Sequence, residues 1–236
     1  MTYCIAMRLK GGLIFAADTR TNAGVDQIAS FRKMHLFQQP GKCSFALLTS
    51  GNLATSQSLV SRLKIQATDD KQASLLTAHS MFQAAEIIGE QVKSIIAANA
   101  KGQQHAGVDF GCHVLFGGQI QGEAPSLFHI YPEGNFIEST EDTPYLQIGE
   151  SKYGKPILDR IIRHDTGLEQ AMKCALISFD STMHSNLSVG MPLDTAIYRN
   201  NTLELSIERI AEGDDYFNRL RRAWSSGIKQ LFDGMP

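Results

Sequence analysis

The order of apolar runs along the chain predicts a layered α+β fold, a four-layer αββα sandwich of two antiparallel sheets with helices on each outer side. Three observations carry this expectation. Strand-like and helix-like segments come in blocks (strands, two helices, strands, two helices, strands, a last helix), not in the single alternation of βαβ units. Short alternating runs are punctuated by turn chemistry, as at Lys10-Gly11-Gly12, Pro40-Gly41 and Pro132-Glu133-Gly134. No linker, low-complexity tract or internal repeat divides the chain, so 1–236 reads as a single domain with an added C-terminal helix near 214–232.

The elements follow in order. Thr2–Leu9 and Leu13–Ala17 are two apolar runs joined by a glycine turn, the pattern of a β-hairpin. Thr21-Asn22-Ala23-Gly24 is loop chemistry, and Lys33–Phe37 and Cys43–Leu48 supply two more strands. Asn52–Ile65 and Ser74–Ala98 read as helices. In the second, Leu75, Ala78, Phe82, Ala85, Ile88, Val92 and Ile95 form one stripe at helical spacing, which predicts a buried face.

Asn99–Gly107 is a polar connector. Asp109–Phe116, Ser126–Tyr131 and Phe136–Ser139 read as a strand meander with Gly117-Gly118 as a turn. A second helical pair is expected near Tyr153–His164 and Gly167–Met183, then a hairpin of Asp194–Tyr198 and Thr202–Ile210. The closing helix Asp214–Phe232 has Asp214 as its cap.

Composition narrows the function. With 43% hydrophobic and 19% charged residues the chain is an ordinary globular protein, and a net charge of −2 gives no electrostatic footprint for nucleic acid. Cys4, Cys43, Cys112 and Cys174 are scattered without a CxxC pair, which fits reduced core thiols better than a disulfide framework. The histidines show no metal-ligand spacing, so neither a metal nor another cofactor is expected. No apolar run is long enough for a membrane span, and Met1–Leu9 leaves no room for a basic-then-apolar leader; a cytoplasmic protein is expected. Ser61-Arg62-Leu63-Lys64 has the Ser-x-x-Lys spacing of some serine acylases, but it stands alone inside an amphipathic helix. Gly117–Gly122 is glycine-rich, yet it leads into a strand, whereas a phosphate cradle needs a helix N-terminus.

Chemistry concentrates near the N-terminus. Thr2 follows Met1 directly; removal of Met1 would give a hydroxyl nucleophile and an amine base on one residue. An α-amine titrates near 7.7–8.0 when unperturbed, so it can accept a proton near neutrality. Asp18 and Arg20 fall where a strand gives way to a turn, and Lys33 opens an apolar strand in which a lysine has little structural purpose. Pairing of the strand led by Thr2 with the strand ending at Asp18 would bring amine, hydroxyl and carboxylate together. Lys33 would bias the amine toward neutrality and stabilise a developing alkoxide, with Asp18 holding its ammonium.

Thr2 opening a strand, Ala17-Asp18-Thr19-Arg20 with Gly24 behind it, and Lys33 resemble the proteasome β-subunit pattern of the N-terminal nucleophile hydrolases. Ser50-Gly51-Asn52 is similar to that family's Ser-Gly turn before a helix. Met1–Thr19, Arg20–Phe37 and Gly149–Arg160 resemble Anbu, the bacterial ancestral β-subunit group. The resemblance implies Thr2 as nucleophile, Asp18 and Lys33 as its partners and Gly51 as oxyanion donor. It also implies substrate backbone along Asn22, with a side-chain pocket near Thr49 and Leu53. Arg20, Ser151 and Ser188 would support the site. Gly149-Glu150-Ser151-Lys152 stands where the family has a Ser-Gly pair, so Ser151 or Glu150 takes the supporting position. Ser185–Gly190 stands where the family has Asp-x-x-Ser-Gly, without the aspartate.

The implied activity is threonine-type hydrolysis of a peptide or unfolded protein through an acyl-enzyme. The implied assembly is a self-compartmentalising homo-oligomer, ring or open spiral, with any unfoldase partner unspecified. Two other readings stay open: an assembly of the same fold with little activity, and a small-amide acylase using the same Thr2 chemistry.

Overall fold

A computed structural model describes residues 1–22, 28–68, 74–100 and 108–236; the side chains of Asn22 and Ile28 are outside the description. Gly24 and most of the expected connector after Asn99 fall outside the described residues.

Two five-stranded antiparallel sheets form the centre. β1 (Tyr3–Leu9) and β2 (Gly12–Asp18) are the expected hairpin, flanked by β10 (Tyr145–Gly149) on one side and by β11 (Leu193–Arg199) and β12 (Glu208–Ile210) on the other. The second sheet runs β5 (Met34–Gln39), β6 (Cys43–Gly51), β7 (Cys112–Ile120), β8 (Ser126–Ile130) and β9 (Phe136–Glu138). A separate two-stranded ribbon pairs β3 (Arg20–Asn22) with β4 (Ile28–Ser30).

Helices cover both outer faces. Leu53–Ala67 (α1) and Met81–Ala100 (α2) pack on the second sheet through Leu59, Leu63, Ile88, Val92, Phe45 and Phe116. Lys155–Ile161 (α3) and Leu168–Ser185 (α4) pack on the first sheet through Leu158, Ala175, Phe179, Tyr3, Ile5 and Ile14. A third cluster, including Phe15, Leu48, Leu115 and Tyr198, is the seam between the sheets. β1 and β2 are buried on both faces, which explains why their sequences read as continuous apolar runs and not as clean alternation. α5 (Asp215–Asp233) follows, and the Asp214 side chain accepts from Phe217 N, as the sequence predicts.

Several boundaries differ from expectation. The strand predicted to stop at Phe116 continues through Gly117-Gly118 to Ile120. A Cβ at Gly117 would lie 3.1 Å from the Phe15 ring, and one at Gly118 would meet the Ser44 carbonyl and Phe45. The glycines therefore serve close packing, not a turn. The predicted helix 74–98 is broken: Leu75–Thr77 is a 3₁₀ turn and α2 begins at Met81. Phe82, expected in the buried stripe, is 57% exposed and packs edge-on against Phe136, because Met81, Ala84 and Ala85 take the core face. Of the segment 202–210 expected as a strand, only Glu208–Ile210 pairs. β3, β4 and β10 come from segments with no strand expectation. All four cysteines are free and buried.

Candidate active site

Thr2 precedes β1 at the point where three strand ends converge. β1 pairs with β2, placing Cys4 opposite Ala17, and with β10, placing Tyr3 opposite Gly149. The first pairing carries Asp18 to the start of β1, where its Oδ1 accepts from Tyr3 N at 2.9 Å. Asp18 is fully buried, at 0% exposure.

Lys33 reaches this carboxylate from the segment before β5. Its Nζ donates to Asp18 Oδ1 at 2.7 Å and to the Arg20 carbonyl at 2.6 Å, with 5% of the residue exposed. Two of the ammonium's three donors are thereby used. Burial pushes the Asp18 carboxyl above its ordinary range, opposed by Lys33 and by the Tyr3 and Gly190 N–H groups. Gly190 N lies 3.4 Å from Asp18 Oδ2, and a Cβ on Gly190 would collide with the Arg20 guanidinium, so this glycine admits both neighbours. Arg20 Nη1 donates in turn to the Leu187 carbonyl at 3.0 Å.

Thr2, Lys33, Thr49, Gly51 and Leu53 line one cavity of about 400 Å³, together with Thr21, Phe31, Arg32, His35 and Gln57. β6 supplies the first part of its wall and α1 the second; Asn52 caps α1 by accepting from Thr55 N at 3.1 Å. Gly51 has φ +102°, a left-handed conformation, and a Cβ there would meet the Gly111 carbonyl. The backbone therefore turns sharply where strand passes into helix, with Gly51 on the cavity wall. His35 is held neutral, its pKa lowered to about 4 by burial and then by Lys64, against an opposing hydrogen bond to the Arg32 backbone.

Cys4 lies beside the cluster, but burial pushes its thiol up and away from thiolate chemistry.

The remaining expected residues are placed unevenly. Ser151 follows β10 and, among the described residues, makes no side-chain hydrogen bond. Glu150, one residue earlier, donates its N–H to the Thr2 carbonyl at 2.7 Å. Ser188 lies in the turn after α4, its N–H held by Asn186 Oδ1 at 3.0 Å, and its neighbour Leu187 anchors Arg20. For Asn22 only the backbone is described, paired with Ile28 in the ribbon. Tyr3 and Gly190 meet Asp18, and Asn186 meets Glu150, through long-range pairing that gives these three no individual signal in the sequence. No group of three or more metal-ligating side chains occurs among the described residues.

Comparison with known proteins gives the family of this fold. The Proteasome subunit family profile matches residues 2–197. Anbu (ancestral beta-subunit) from Yersinia bercovieri is 53% identical with a TM-score of 0.94, covering 99% of this chain and 98% of that one. The helical assembly of the Anbu complex from Pseudomonas aeruginosa matches at 49% identity and TM-score 0.95, covering 99% and 97%. Anbu from Hyphomicrobium sp. strain MC1 matches at 50% identity and TM-score 0.89, covering 99% and 98%. A search of curated proteins gave no match. The αββα sandwich is thus the N-terminal nucleophile hydrolase fold, and the chain belongs to the proteasome-subunit family, in its Anbu branch.

Proposed function

We propose that the protein is a threonine-type amide hydrolase acting on peptides or unfolded polypeptide. The observation that carries this reading is the buried Asp18–Lys33 pair beside Thr2, with two of the Lys33 donors already engaged and the Thr2-lined cavity alongside. A buried ion pair is costly to desolvate and is weak as a stability device, so its place at the head of β1 favours a chemical role.

Hydrolysis of the Met1–Thr2 bond frees the α-amine. The third Lys33 donor then faces the Thr2 hydroxyl and favours its developing alkoxide. Thr2 Oγ1 adds to the substrate carbonyl while its proton passes to the α-amine, and the Gly51 N–H donates to the oxyanion. The protonated amine returns its proton to the departing amine as the C–N bond breaks, leaving an acyl ester on Thr2. Water, deprotonated by the same amine, hydrolyses the ester and restores the hydroxyl. The side chain preceding the cut bond enters the cavity by Thr49 and Leu53, the backbone running along Asn22. Arg20 braces the turn that carries Ser188. Neither metal nor organic cofactor takes part.

The whole of 1–236 acts as one subunit, with α5 as an extension, in a homo-oligomer; the Pseudomonas relative forms a helical assembly. The absence of an aspartate from the turn 185–190 favours a second reading, an assembly of low activity. Digestion of a peptide library by protein lacking Met1, against Thr2→Ala, separates the two. Cleavage that vanishes in the variant supports the hydrolase; equal background in both supports the inactive assembly.

A further inference from the structure

The chain leaves β10 through Gly149, whose left-handed φ of +82° ends the regular ladder, and the next residue, Glu150, donates its N–H to the Thr2 carbonyl at 2.7 Å. Glu150 is thereby tied by its backbone to the residue proposed as nucleophile.

Glu150 is only 9% exposed. Its Oε1 accepts from Lys152 N at 3.1 Å and its Oε2 from Asn186 Nδ2 at 3.0 Å, both neutral donors. The same Asn186 amide lies 3.8 Å from Met1 Sδ, so carboxylate and chain terminus meet on one side chain. None of the ion pairs among the described residues includes Glu150. A buried carboxylate ordinarily has a cation; here the donors are an amide and a backbone N–H. Removal of Met1 creates a cation on the adjoining residue, the Thr2 α-ammonium.

We propose that Glu150 is the counter-ion of the Thr2 α-amine once Met1 is gone, a positioning residue held by Asn186 and Lys152 N–H. This rests on the hydrolase reading for its catalytic meaning but not for the pairing itself. The amine must turn its lone pair toward the Thr2 hydroxyl and then carry the proton it takes. A carboxylate fixed across the strand orients the amine and stabilises the ammonium, as the triad aspartate does for imidazolium. Asp18 from β2 and Lys33 from the segment before β5 are the other charged groups at this point. Asp18 is engaged by Lys33, leaving Glu150 without a partner of its own. From the turn after α4 come neutral Asn186 and Ser188, with Arg20 directed to the Leu187 carbonyl.

The test compares wild type with Glu150→Gln, both shown by intact mass to lack Met1. The α-amine is titrated by its rate of acetylation with limiting acetic anhydride, read on the N-terminal peptide. Loss of an opposite charge should lower the amine's midpoint by roughly one pH unit, and Glu150→Asp should keep most of the wild-type value. Glu150→Ser gives the same comparison if the glutamine variant does not fold. The acid limb of Thr2 labelling by a β-lactone should move by the same amount. Shifted acetylation with no labelling in any variant would uphold the pairing and sink the hydrolase reading. Coincident acetylation curves would overturn the pairing whatever the labelling showed.

Discussion

Lys33 and Asp18 occupy the interior only as a pair, each satisfying a charge that the other would leave bare. Asp18→Ala strands the Lys33 ammonium at 5% exposure, and truncation of one member of such a pair costs about 3–5 kcal/mol. Urea unfolding should show this as a lower midpoint with an unchanged slope. Lys33→Ala strands the Asp18 carboxylate instead, which protonation neutralises. Burial already raises the Asp18 pKa, and losing Lys33 removes the largest opposing influence. A folded-state pKa above the unfolded value favours folding below the unfolded pKa, and that advantage is lost as pH rises through the folded pKa. The variant should therefore lie nearest wild type in acid and fall furthest behind at neutral pH. At pH 7.5 it should remain folded by circular dichroism yet lose β-lactone labelling of Thr2. Unchanged labelling would remove Lys33 from the mechanism.

At the level of elements, Gly51 and Asn52 join β6 to α1 and set one wall of the cavity. Gly51→Ala forces a left-handed φ on a side chain that also meets the Gly111 carbonyl, so a loss of at least about 1–3 kcal/mol is expected. Asn52→Ala removes the cap and an exposed bond from Asn52 Nδ2 to the Asp109 carbonyl without straining the backbone, with an expected cost of about 1 kcal/mol. Thermal melts of the two variants rank these effects; equal shifts would contradict the strain argument. The Ser-Gly-Asn turn was legible through its resemblance to the family's Ser-Gly turn, and the left-handed φ of Gly51 gives the physical reason for the glycine. So were the long strands and helices, whose apolar runs and stripes exceed one period. The three-residue β3 and β4 are too short to show any period, and β10 sends only Leu146 and Ile148 inward. Gly117-Gly118 misled because close packing and turning ask for the same residue. Thr2, Asp18 and Lys33 could be proposed from spacing. The position of Glu150 beside Thr2 depends on β1 pairing with β10, where Tyr3 faces Gly149, and no local pattern encodes that pairing.

The molecule as a whole carries a pH dependence set by histidines outside the proposed chemistry. His35, near the cavity, and His129, on β8, both have pKa values lowered to about 4, chiefly by burial. Unfolded histidine titrates near 6.5, so between about 6.5 and 4 the unfolded chain binds more protons than the folded one. Folded stability should fall as pH drops through that window, by at most about 1.4 kcal/mol per pH unit for each histidine. His35→Gln should flatten the profile between pH 6.5 and 4, and an unaltered slope would exclude His35 as a source. Assembly bears on the same scale, since a homo-oligomer would add subunit contacts to folded stability. Thr2, freed of Met1, is the proposed nucleophile. Intact mass after incubation of Met1-free protein with a peptide β-lactone decides this. One adduct per subunit is expected, mapped to Thr2 and absent from Thr2→Ala. No adduct, or an equal adduct on the variant, would contradict it.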